Sequence, residues 1–312
     1  MVSKDHHPAL DDPNAFVYYR YAPSLAAAAI FVALFGISSL LHIWQTWRKK
    51  SWFMTPFIIG ALFEFVGYIG RILSSQDQWD RNAYIIQTLL LLLGPALFAA
   101  TIYMILGRII LLTDGEKFSL IRRTWLTKIF VGGDVLSFVI QGAGGGVMSS
   151  ADKNPGNMKK GENMIIGGLF VQLFFFGFFV VTSAVFQYRG RAHLNKLPKH
   201  IVWKKHIYVL YLTSTFILIR SVFRVVEYLQ GNNGELLRKE VFLYVFDAVL
   251  MLAVAVSMNV VHPGDLAILI KQKLESAYST DSSAIALDDG RRGVSQGKDR
   301  ANADEGRYSG HV

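Results

Sequence analysis

Seven apolar blocks, each roughly 20–28 residues long, run through most of the 312-residue chain and are separated by short polar stretches. They fall at about 22–46, 52–73, 83–112, 125–148, 164–187, 207–229 and 241–262. A helix rises 1.5 Å per residue, so about 20 apolar residues cross the ~30 Å hydrocarbon core of a bilayer. Inside lipid each backbone N–H and C=O has to be satisfied without water, and single segments of this length do so as helices. The expected fold is therefore all-α: a polytopic membrane protein with seven transmembrane helices. The third block is long enough to tilt or to project from the bilayer. Turn-forming stretches stand between blocks, at KNPG (153–156), NKLP (195–198) and QGNNG (230–234). Apolar residues make up 52% of the chain and charged ones 18%, against about a quarter charged in ordinary soluble domains.

The net charge of +9 is distributed as an orientation signal. Lys and Arg number fourteen in 45–51, 113–124, 188–206 and just after the last block, and eight in 1–21, 74–82, 149–163 and 230–240. The positive-inside rule then places the N-terminus outside and the C-terminus in the cytosol. This placement argues against a nucleic-acid partner. The basic connection 188–206 suits contact with anionic lipid headgroups, or docking of a cytosolic partner together with the C-terminal tail. Four regions follow: an extracellular tail 1–21, the seven-helix domain 22–263, a segment 264–278 able to lie as an interfacial amphipathic helix, and a polar cytosolic tail 279–312 of disordered composition. Residues 1–21 lack the apolar core of a cleaved signal peptide.

Ionisable residues at membrane depth cost about 2.5–3.5 kcal/mol each, so they face a protein interior or a wet cavity. The blocks hold Glu64, Arg71, Asp134, Arg220, Arg224, Glu227 and Asp247, four acids and three arginines. A helix turns about 100° per residue, and a spacing of seven returns a side chain to nearly the same direction. Glu64 and Arg71, Asp134 and Gln141, Arg220 and Glu227, and Glu240 and Asp247 are each seven apart. The four stripes can point at one centre, a polar cavity opening toward the external side, with Gln87 and Gln172 as further lining candidates. The competing reading is a salt-bridge network that only holds helices together. An ion or proton path is a third. The glycines of QGAGGG (141–146) permit close helix contact or local unwinding. The aromatic run LFFFGFFVV (173–181) suits packing against lipid or neighbouring helices.

Several chemistries lack their residues. Cysteine is absent, which removes disulfides, iron–sulfur clusters and thiol nucleophiles. The last block carries no lysine for a retinal Schiff base, and no GxxxxGK[ST] loop exists to cradle ATP. Only His42 and His262 lie at block ends, one short of the three histidines that a zinc hydrolase site uses. No cofactor, metal or enzymatic activity is expected.

The segments EFVGYIGR (64–71), LLLGPALFAATIYMILGRII (91–110), KIFVGGDVLSFVIQGAGGG (128–146), GGLFVQLFFF (167–176), IRSVFRVVEYLQGNNGEL (219–236) and YVFDAVLMLAVAVSMNVVHPG (244–264) occur in this order. Together they closely resemble the fungal lipid-translocating exporter family, seven-helix proteins named for aminocholesterol resistance. The resemblance spans about residues 16–265. It implies a plasma-membrane protein, or one of another cell membrane, that releases or flips sphingoid long-chain bases. It also implies resistance to toxic amphiphiles and, in one branch of the family, movement of porphyrins. The family positions correspond to Glu64, Tyr68, Arg71, Asp134, Gln141, Gln172, Arg220, Arg224, Glu227 and Asp247. Translocation of an amphipathic lipid is the first expectation. A lipid or small-molecule receptor without transport, and a porphyrin or haem transporter, are the alternatives.

Overall fold

The computed structural model describes residues 19, 21–149, 156–198, 203–231 and 234–276. The expected C-terminal tail, and most of the N-terminal one, lie outside the described residues. Seven helices are long and apolar enough to cross a membrane, and no strand occurs among the described residues. The chain forms two units, Met1–Ala267 and Ile268–Val312.

In the first unit, six long helices follow the apolar blocks: α1 (Leu25–Lys49), α2 (Thr55–Gln76), α3 (Arg81–Leu112), α4 (Arg123–Ser149), α5 (Gly156–Leu194) and α6 (Trp203–Gln230). Two short helical turns follow, α7 (Glu235–Arg238) and α8 (Glu240–Leu243). The seventh span continues from α8 as a π-helical segment, Tyr244–Val249, and ends as α9 (Leu250–Val260). Residues 264–267 are helical at the end of this unit. In the second unit residues 268–276 are helical, with Lys271 and Glu275 one turn apart at 3.6 Å.

Local chemistry sets the helix ends. Ser24 caps α1 by accepting from the Ala27 N–H, and Lys50 ends it in the left-handed conformation with φ 51°, its own N–H returning to Thr46 and Trp47. Pro56 sits in the first turn of α2, where its missing N–H has no consequence. The largest departure from the apolar blocks is α5, whose 39 residues extend past 164–187 at both ends. At 1.5 Å per residue it is roughly 58 Å long, about twice the hydrocarbon thickness. Nothing in NMKKGEN or QYRGRAHL breaks a helix, so hydrogen bonding continues beyond the greasy stretch.

Each helix packs on its chain neighbour, α9 closes back onto α1 and α6, and α3 also touches α6. The central α3 is apolar on every side and the most enclosed of the seven. Close approaches use glycine, as expected where lipid supplies no hydrophobic drive and van der Waals fit has to. A Cβ on Gly60 would meet the Gly94 carbonyl at 2.8 Å, and one on Gly144 would meet the Gly161 carbonyl at 2.7 Å. The QGAGGG stretch stays helical rather than unwinding. Only Gly144 in it makes such a contact; around Gly142 and Gly145 a Cβ finds nothing within 4 Å.

This difference is testable by thermal unfolding in detergent. Gly144→Ala is expected to lose about 1–3 kcal/mol through overpacking. Gly145→Ala should be neutral or stabilising by up to about 1 kcal/mol from helix propensity.

Candidate functional site

The site grows from one backbone irregularity. Pro95 lies inside α3 and has no N–H, so the Leu91 carbonyl one turn earlier has no intrahelical partner. Arg220 of α6 fills that role, donating through Nη2 to the Leu91 oxygen at 2.7 Å. The same guanidinium donates through Nε to the Asp247 carboxylate of the π segment. Arg224, one turn further along α6, donates to the other Asp247 oxygen and, at 2.9 Å, to Glu227. Asp247 thus bridges two arginines. Side chains of Arg220, Asp247 and Glu227 are all at least 97% buried.

A second group lies at the bundle end where α1 begins. Arg71 of α2 is fully buried; its Nε donates to the Tyr244 hydroxyl at 3.0 Å, and its Nη2 to the Tyr21 hydroxyl at 2.7 Å and to Glu240 at 2.8 Å. Glu240 also accepts from the Ser24 N–H, at 2.9 and 3.1 Å, so it ties the start of α1 to the start of the seventh span. The guanidinium carbon stands 5.5 and 5.1 Å from the Tyr21 and Tyr244 ring centres, within cation–π range. Tyr19 donates to Gln87 of α3 at 2.9 Å. Tyr68 stacks with Phe31, Phe35 and Tyr244.

Between the two groups lies Glu64. Its carboxylate is 99% buried and interacts electrostatically with Asp247, Arg220 and Arg224, yet neither oxygen makes a hydrogen bond among the described residues. One oxygen rests against Gly94, where a Cβ would come within 2.8 Å. The Gly94–Pro95 pair therefore serves twice, making room for Glu64 and freeing a carbonyl for Arg220. Counting Glu64, Glu227, Glu240 and Asp247 against Arg71, Arg220 and Arg224, the assembly is formally one positive charge short.

The structure joins most of the expected residues but not all. Glu64, Tyr68, Arg71, Arg220, Arg224, Glu227 and Asp247 come together, and Gln87 is linked through Tyr19. Asp134 and Gln141 do not join this centre. The stripe of α4 packs against α3 and α5 instead, because the glycine contacts of α4 and α5 set its rotation. Asp134 is within electrostatic reach of Tyr103, and Gln141 donates to Ser137 at 2.6 Å, which donates to the Gly168 carbonyl at 2.8 Å. Gln172 is buried on α5. At the end where the opening was expected, the Tyr19 hydroxyl donates to Gln87 and the Tyr21 hydroxyl accepts from Arg71. Tyr21 and Tyr244 were not singled out in the sequence, whereas Glu240 was, through its spacing of seven from Asp247. His42 Nε2 contacts the Ala255 carbonyl at 3.1 Å, and no group of three metal-ligating side chains occurs among the described residues.

Seven spans and a buried charge assembly define a multi-pass membrane protein with a polar centre. The RTA1-like protein family model matches residues 57–269, and the chain belongs to this family. Protoporphyrin uptake protein 1 of Saccharomyces cerevisiae is 40% identical over 285 residues, covering 79% of this chain and 92% of the relative. Protein RTA1 of the same yeast is 34% identical over 276 residues, covering 80% and 86%. The sphingoid long-chain base transporter RSB1 of S. cerevisiae is 25% identical over 284 residues, covering 80% and 74%. No solved structure matches the chain.

Removing the shared acceptor exposes what the network holds. Asp247→Asn leaves the buried Arg220 without a carboxylate and Arg224 with Glu227 alone, and a loss of about 3–5 kcal/mol is expected in detergent unfolding. Adding Arg220→Met to Asp247→Leu should lose less than the sum of the single variants, since no charge is then stranded at that pair.

Proposed function

We propose that the chain moves amphipathic lipids with a cationic headgroup, sphingoid long-chain bases being the model cargo, and that the Glu64 assembly binds the headgroup. The carrying observation is the buried carboxylate without a hydrogen-bond partner in a network that lacks one positive charge. An ammonium brings one charge and three donors, which suits Glu64 and the lone pairs left on its neighbours. Without cargo, a proton on Glu64 closes the balance. Arg220, Arg224, Asp247 and Tyr68 surround it, and the arginines keep Asp247 paired whichever cation Glu64 holds. The relative named as a long-chain base transporter supports this cargo class.

On this reading the protein makes and breaks no covalent bond. Its N-terminus faces outward, its C-terminus and the 188–206 connection face the cytosol, and the plasma membrane is its site of action. Tyr19 and Tyr21 form the outer cover of the binding centre. They release when the headgroup competes for the polar groups beneath them.

A second reading has its own support. Arg71 Nη1 and Arg224 Nε make no hydrogen bond among the described residues, and these donors suit the carboxylates of a porphyrin. The relative named as a protoporphyrin uptake protein favours the same chemistry.

Calorimetric titration separates the two. Sphingosine binding to the purified protein should release about one proton, seen as an enthalpy difference between buffers of unlike ionisation heat. Binding should tighten as pH rises while the ammonium stays charged, because deprotonated Glu64 is the binding form. In Glu64→Gln the affinity should fall about tenfold or more, and the proton release should vanish. Protoporphyrin binding that exceeds sphingosine binding and survives Glu64→Gln would reverse the assignment.

A further inference from the structure

At the opposite end of the bundle, α5 and α6 overhang their apolar blocks and enclose a groove of about 540 Å3. Its apolar floor is lined by the exposed Ala184 with the buried Ile207 behind it, and Tyr188 and Tyr208, 81% and 66% exposed, stand beside it. Two cations line it, Arg191 from the last turn of α5 and Lys204 from the first turn of α6, and no acid does. Neither cation has an ion-pair partner among the described residues. The neighbouring Lys205 does, at 3.0 Å from Asp265, which also holds Lys49 at 2.6 Å. Lys204 is therefore a charge at a helix N-terminus, where the helix dipole disfavours cations, and no acid in that turn offsets it.

We propose that this groove is a binding site for one acidic phospholipid. The phosphate and headgroup carboxylate meet Arg191 and Lys204, the tyrosines stand at headgroup level as interfacial aromatics do, and one acyl chain runs along the exposed Ala184. Charge complementarity excludes a cationic lipid here, so the occupant differs in sign from the cargo of the Glu64 centre. An acidic peptide would satisfy the two cations but not the apolar floor, which continues into the membrane-spanning part of both helices. The groove volume falls in the range of small-ligand pockets, room for a headgroup and part of one chain. Only the leaflet supplying the lipid rests on the proposed topology, which makes it the cytosolic one; binding itself is independent of orientation and of transport.

Native mass spectrometry of the full chain from nanodiscs tests the site. The discs contain phosphatidylcholine alone or with phosphatidylserine, and the variants are Arg191→Ala/Lys204→Ala, Arg191→Lys/Lys204→Arg, and Lys159→Ala/Lys160→Ala at the other end of α5. Arg191 and Lys204 are exposed, and thermal unfolding checks that each variant keeps its fold. The wild type is expected to retain one phosphatidylserine per chain. The Arg191→Ala/Lys204→Ala pair should retain it about tenfold or more weakly, while the charge-preserving and Lys159/Lys160 pairs keep it. Equal retention by all variants would overturn the site. An equal loss in the Lys159/Lys160 pair would do so too, since diffuse attraction would then explain the binding. Displacement by inorganic phosphate or an acidic peptide as readily as by phosphatidylserine would overturn the lipid assignment.

Discussion

The contact of Arg220 with Asp247 and the Leu91 carbonyl is the constraint on which the bundle depends. Three elements, α3, α6 and the seventh span, are joined at one guanidinium. Each partner would be expensive alone in a lipid-facing position. Together they satisfy a carbonyl that Pro95 frees and two charges that the membrane disfavours. The π segment is part of the same solution. It starts at Tyr244 and contains Asp247, so its wider turn carries both the hydroxyl that meets Arg71 and the carboxylate that meets Arg220 and Arg224. Single π turns inside α-helices recur at functional sites.

Much of this was legible in the sequence. The helix count follows from apolar length alone, and membrane depth restricts charged residues so severely that Arg71, Arg220, Arg224, Glu227 and Asp247 identify themselves. Helical spacing aligned each stripe but could not tell which neighbour it faced. Asp134 and Gln141 share a face of α4 as expected, yet that face turns toward Tyr103 and Gly168. Rotation about a helix axis is decided by the closest backbone contacts, here glycines of α4 and α5, and these depend on two sequences at once. The role of Tyr21 was hidden for a different reason. It lies before the first apolar block, where composition says nothing about what the chain folds over.

The two ends of the bundle carry opposite chemistry. In the buried assembly acids outnumber arginines by one, and on the proposed reading the surplus carboxylate, Glu64, takes a cation. At the other end, exposed cations lie over an apolar floor without acids beside them. On the two proposals, a cationic amphiphile at the first and an anionic lipid at the second do not compete. Coupling between them, if α6 carries it, passes through the helix that supplies both Lys204 and Arg220.

The central claim, that Glu64 is where a cationic headgroup is held during movement across the membrane, is tested most directly by flux in proteoliposomes. Purified protein is reconstituted, and appearance of fluorescent sphingosine on the far leaflet is followed against protein-free vesicles. The account predicts saturable movement by the wild type and movement reduced to the protein-free rate in Glu64→Gln, with both proteins reconstituted to the same density. Equal rates in the two proteins would contradict it.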